Sequence, residues 1–131
     1  MSEEPAACDV VMTVSAAYSE LAQVRYFVRD TLVQSGYGGS FDDVVLIACE
    51  MATNALLHGA GVPVLRIRGT CQRVRIEVSD ESPTPPALRE AGPDGGFGLR
   101  LLDRMSLAWG SFPNDVGKVV WCELGTVLAS A

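Results

Sequence analysis

Positive charge is scarce in this chain: ten Lys and Arg stand against sixteen Asp and Glu, for a formal charge of -6 and a pI near 4.6. Without a sequence-wide basic field there is nothing to hold a nucleic-acid backbone or an anionic membrane surface, so direct nucleic-acid binding is excluded as a first reading. No uninterrupted apolar run reaches the roughly 18 residues of a membrane-spanning helix, and the acidic opening MSEEPAA is the reverse of a signal peptide's positive start. The expected compartment is the cytoplasm, with no membrane partner. The four cysteines, Cys8, Cys49, Cys71 and Cys122, lack the C-x-x-C spacing of a zinc site or redox pair, and they read as buried thiols. Histidine occurs once, at His58.

What is present is enough for one domain. The chain has 131 residues, 48% of them hydrophobic, with a mean hydropathy of +0.22. A domain of this size buries about two thirds of its unfolded surface and folds without staples.

"CDVVMTV" (8–14) is short and β-branched and reads as a strand. Ser15 can cap a helix in which Ala17, Leu21, Val24, Val28 and Leu32 recur at helical spacing, ended by the glycines at 36–39. A second helix starts near Ser40, with Asp42 and Asp43 where negative charge suits the dipole, and runs to His58. "VPVLRIRGT" and "QRVRIEVSD" alternate apolar residues with Arg66, Arg68, Arg73, Arg75 and Glu77, the pattern of a hairpin with one buried face. A Pro- and Gly-rich stretch follows Asp80 and reads as one long loop or lid. "FGLRLLDRMSLAWG" resumes a helical pattern, and "GKVVWCELG" closes the chain as a strand after the turn "PNDVG". The expected fold is an α/β (α+β) two-layer sandwich, with the helices on one face of a mixed, mainly antiparallel sheet and the other face polar.

Within the second helix, "CEMATNALLHGAG" places Glu50, Asn54 and His58 at four-residue spacing. Four residues turn roughly 400°, so the three side chains form one polar stripe on a helix otherwise apolar around most of its circumference. A carboxylate there can act as a general base, and a neutral amide oxygen can ligate Mg²⁺, which takes its remaining ligands from water and phosphate. His58 lies at the helix end, where an imidazole suits the last carbonyls. Asp80 ends a strand, and its carboxylate at the sheet rim can accept a hydrogen bond from the exocyclic amine of adenine; the alternative is a turn-starting Asp. Gly95, Gly96 and Gly98 precede a helix, where exposed amides attract phosphate. Arg100 falls in that helix's first turn, which runs against the dipole unless an anion is near or the side chain faces solvent or a partner.

Glu50-x-x-x-Asn54-Ala55, Asp80-x-Ser82 followed by prolines, and Gly96-x-Gly98-Leu99, in that order, resemble the Bergerat-fold ATPases, the superfamily of gyrase, histidine kinases and the heat-shock chaperone. The short chain and the closing "GKVVWCEL" look most like its anti-sigma-factor branch of bacterial serine kinases, over roughly residues 10 to 125. The resemblance implies ATP and Mg²⁺ as cofactors, Glu50 as the base and Asn54 as the Mg²⁺ ligand. Asp80 and Ser82 would lie at adenine, and Gly96, Gly98, Leu99 and Arg100 along the phosphates under a lid of about residues 83 to 97. It further implies a protein serine/threonine kinase that phosphorylates an anti-sigma-factor antagonist and alternately binds a sigma factor, often as a homodimer. Ser82 stands where the family usually has glycine, which narrows the space near the base, and the lid is short and proline-rich. These departures suit the alternative, a non-catalytic module of the same fold that controls a partner by direct contact.

Overall fold

The computed structural model describes residues 8–15, 18–86 and 100–126. Among these the elements run β1 (Cys8–Thr13), α1 (Tyr18–Ser35), α2 (Phe41–His58), β2 (Val64–Gly69), β3 (Arg73–Asp80), α3 (Arg100–Met105), β4 (Ala108–Pro113) and β5 (Lys118–Gly125). The strands form a single sheet in the order β1-β2-β3-β5-β4, with every neighbouring pair antiparallel. The mixed sheet expected from the sequence is thereby corrected. Two tight hairpins, β2–β3 and β4–β5, reverse the chain by geometry, and β5 enters between β3 and β4 antiparallel to both.

The helices end where local chemistry stops them. At α1 the N–H of Tyr37 donates to the Leu32 carbonyl at 3.0 Å and that of Gly36 to Val33 at 3.1 Å, a Schellman closure that needs the left-handed φ of +68° that Gly36 adopts. At α2 the Ser40 hydroxyl accepts the Asp43 N–H at 3.2 Å, the expected N-cap, and the Gly59 N–H donates to Ala55 at 2.9 Å. α1 packs on β1 and β2, α2 packs on β3, and the two helices pack on each other. Val24, Val28 and Leu32 thus meet Ile47, Ala48 and Met51 over the sheet residues Leu65, Ile67, Ile76 and Cys122 in one core.

One segment departs from expectation. Among the described residues of this stretch, helix spans Arg100–Met105, and Ala108–Pro113 is the edge strand β4. The Leu107 N–H donates to the Glu123 carbonyl at 2.7 Å, which draws the chain into the sheet immediately after α3. Trp109 then faces the core opposite Cys122, its indole N–H donating to Asp103 at 3.1 Å, while Gly110 faces outward opposite Trp121. Period two is the pattern of this stretch, but it is short and small-residue-rich, so the period of α3 read through it.

The open face of the sheet carries the expected arginines in a cross-strand ladder. Arg66 grips Asp9 with two bonds of 2.8 and 2.7 Å, and Arg75 donates to Glu77 at 2.8 Å and to Glu123 at 3.0 Å while lying 4.4 Å from the Trp121 ring centre. The Arg66 contact holds the Asp9 carboxyl below its ordinary value. The face is not wholly polar, however, because the register also sets Val11, Val64, Val119, Trp121 and Phe112 on it. The cysteines divide as well: Cys122 is buried and its thiol is pushed up to about 12 by desolvation, Cys8 and Cys49 are half-buried, and Cys71 is exposed. Cys71 lies outside because the β2–β3 turn is organised by the Thr70 hydroxyl, which accepts the N–H groups of Gln72 and Arg73 at 3.2 and 3.0 Å and leaves residue 71 at the apex.

Candidate functional site

On α2 the stripe is where the spacing puts it. Val44, Ile47, Ala48, Met51 and Ala52 are buried, whereas Glu50, Thr53 and Asn54 are half-buried and lie in sequence between Leu46 and Leu57, which are 43% and 56% exposed. His58 is exposed in the last turn. The end of α2 is stitched to the end of β3: the Glu81 N–H donates to the Ala60 carbonyl at 2.8 Å. A helix rises 1.5 Å per residue, so Asn54 lies about 8 Å and Glu50 about 14 Å back along the axis from Gly59.

Asp80 corrects an expectation. Its carboxylate does not emerge at the rim; it is 5% exposed as a residue. The reason is parity, since Asp80 shares the core-facing phase of β3 with Val74, Ile76 and Val78. Opposite it in the register stands Lys118, the first residue of β5, in phase with the buried Cys122 and Leu124. The Lys118 ammonium lies 3.0 Å from Asp80 Oδ1 and 2.9 Å from Oδ2, with side-chain exposures of only 8% and 2%. The Ser82 N–H also donates to Asp80 Oδ1, at 2.7 Å, and Lys118 Nζ donates to the Ser82 carbonyl at 3.3 Å. Asp80, Ser82 and Lys118 therefore form one closed knot that fastens the chain leaving β3 to the start of β5.

Two glycines let the backbone come this close. A Cβ on Gly59 would lie 2.6 Å from Asp80 Cγ, and one on Gly117 would lie 2.2 Å from the Asp80 carbonyl oxygen. The Gly117 turn is itself fixed by Asn114, whose side-chain oxygen accepts the N–H groups of Val116 and Gly117 at 3.1 and 2.7 Å.

Of the residues singled out by sequence, the fold brings Asp80 and Ser82 together at the end of α2, and Glu50 and Asn54 further back along the same helix. Arg100 opens α3, is exposed, and belongs to a helix that packs beside α2. Gly96, Gly98 and Leu99 lie outside the described residues, as does most of the lid. Lys118 was the residue sequence reasoning missed. Two signals could have found it: it is the sole lysine among the ten basic residues, and it holds a core-phase position in an apolar strand.

Among the described residues, no three His, Cys, Asp or Glu side chains gather into a metal cluster, and no helix is long and apolar enough to cross a membrane. No protein-family model matches the chain, and no curated protein matches it at a significant level.

Proposed function

We propose that this chain is an ATP-binding regulator of the Bergerat type, a cytoplasmic protein serine/threonine kinase acting on an anti-sigma-factor antagonist and binding a sigma factor in alternation, as a homodimer. One observation carries the reading. A helix with a half-buried Glu50 and Asn54 on an otherwise apolar body ends against the strand that terminates in Asp80, on the helix-covered side of an antiparallel sheet. In this reading Glu50 accepts the proton of the attacking hydroxyl, and Asn54 offers Mg²⁺ one neutral oxygen. Mg-ATP, when bound, supplies the transferable phosphoryl group. Asp80 does not fit the role of adenine acceptor as it stands, because Lys118 occupies it.

Calorimetric titration of ATP with and without Mg²⁺ tests the site. Binding that needs Mg²⁺ and is lost in Asn54→Ala is the expected result. Glu50→Gln should keep binding and lose phosphoryl transfer to a cognate antagonist, and unchanged transfer would remove Glu50 from the base role. The Asp80–Lys118 pair specifically favours a second reading, a non-catalytic module of this fold that controls its partner by contact. For that reading, pull-down of a partner by both wild type and Glu50→Gln, with no nucleotide binding by either, is the expected outcome.

A further inference from the structure

The ammonium of Lys118 donates to Asp80 Oδ1 at 3.0 Å and to the Ser82 carbonyl at 3.3 Å, and it lies 2.9 Å from Asp80 Oδ2 as an ion pair. A carboxylate offers about four lone-pair positions. Here Oδ1 takes the Ser82 N–H and Lys118, and Oδ2 takes Lys118. The position left on Oδ2 lies beside Gly59, where an added Cβ would come within 2.7 Å of the oxygen. Among the described residues the carboxylate is thus answered mainly from within the chain, and chiefly by a cation. A base amine would bring this carboxylate a bond with one charged partner, whereas the Lys118 contact has two, so the amine does not displace the lysine on equal terms.

We infer that Lys118 is the specificity-determining residue of this site: by holding Asp80 it removes the acceptor that distinguishes an amine-bearing base, leaving a site that discriminates poorly between adenine and guanine nucleotides. The inference rests on the nucleotide reading above and deepens it. If Asp80 is released in only a small fraction of molecules, the apparent affinity for ATP is reduced by that fraction. GTP, which presents a carbonyl in place of the amine, gains nothing from Asp80 in either state.

The test is titration of ATP and GTP into the full chain for wild type, Lys118→Met and the double variant Lys118→Met with Asp80→Asn. Methionine keeps an unbranched apolar stem and drops the ammonium. Lys118→Met should tighten ATP by about 10- to 100-fold while leaving GTP unchanged, and adding Asp80→Asn, whose oxygen stays with the Ser82 N–H and whose NH2 donor takes the place of the Oδ2 acceptor, should abolish the gain. A measurement on the wild type runs beside it and decides the inference by itself if the variant does not fold. Lys118 is the chain's single side-chain amine. Its acetylation by an amine-reactive ester, read by mass spectrometry, should accelerate when ATP is added. ATP binding by wild type with no tightening in folded Lys118→Met overturns the inference, as does unchanged Lys118 labelling at saturating ATP. Absence of ATP and GTP binding in both wild type and folded Lys118→Met overturns the nucleotide reading itself, and the inference falls with it.

Discussion

Removing the Lys118 ammonium should be among the most damaging single substitutions available in this protein, whatever it binds. The pair is sealed, with side-chain exposures of 8% for the lysine and 2% for the aspartate. In Lys118→Met the Asp80 carboxylate stays buried with its Ser82 N–H bond but no counter-charge, and breaking a buried pair from one side costs about 3–5 kcal/mol. A domain of this kind is stable by only about 5–15 kcal/mol, so the variant should remain folded at room temperature while losing a large share of its margin. The thermal midpoint should drop by roughly 10–20 °C. Urea unfolding, extrapolated to water at constant slope, measures the loss directly. Adding Asp80→Asn should restore much of it, because the charge that lacked a partner is gone while an acceptor for the Ser82 N–H remains; the double-mutant cycle then gives the coupling. A loss below about 1 kcal/mol for Lys118→Met would refute the reasoning, since that is the range of solvated surface pairs.

Three further outcomes are expected. Gly117→Ala drives a methyl group against the Asp80 and Glu81 backbone, which no side-chain rotation can relieve, and should cost about 1–3 kcal/mol in the same urea assay; a neutral result would mean the turn shifts freely. The Asp9 carboxyl is held below its ordinary 3.8 chiefly by its hydrogen bond from Arg66, so its stabilisation is complete above that value and is lost as pH falls through the lower folded one. Asp9→Asn should accordingly flatten the acid limb of stability below about pH 4, and an unchanged limb would count against the Arg66 grip. In thiol titration Cys71 should react first and Cys122, buried with a thiol pushed up to about 12, should wait for unfolding; loss of the fast phase in Cys122→Ser instead of Cys71→Ser would reverse the assignment.

Much of the fold was legible because its signals are local. Ser40 with Asp42 and Asp43 marked the start of α2, Gly36 marked the end of α1, and the alternation of Leu65, Ile67, Val74 and Ile76 with arginines set out the hairpin. β4 was hidden because strand identity there depends on pairing with β5, a partner that no local pattern announces. The exposed Cys71 was misjudged for a related reason: it sits beside an apolar strand in sequence but at the apex of a turn in space. At the site, the stripe of Glu50 and Asn54 follows from helical spacing alone. The burial of Asp80 was also written in the parity of β3, but its occupation by Lys118 was not. That contact joins residues 38 positions apart and depends on which strand β5 chooses as neighbour.

Arginine supplies nine of the ten basic side chains, and the remaining one is locked inside the Asp80 knot. The folded surface therefore offers cellular enzymes no lysine to acetylate, methylate or join to another protein. Any such lysine mark on this chain has a single possible address, and reaching it means first undoing the fastening between β3 and β5. A lysine mark here would be a record that the site had been open, and by removing the ammonium's grip on Asp80, acetylation would help to keep it so.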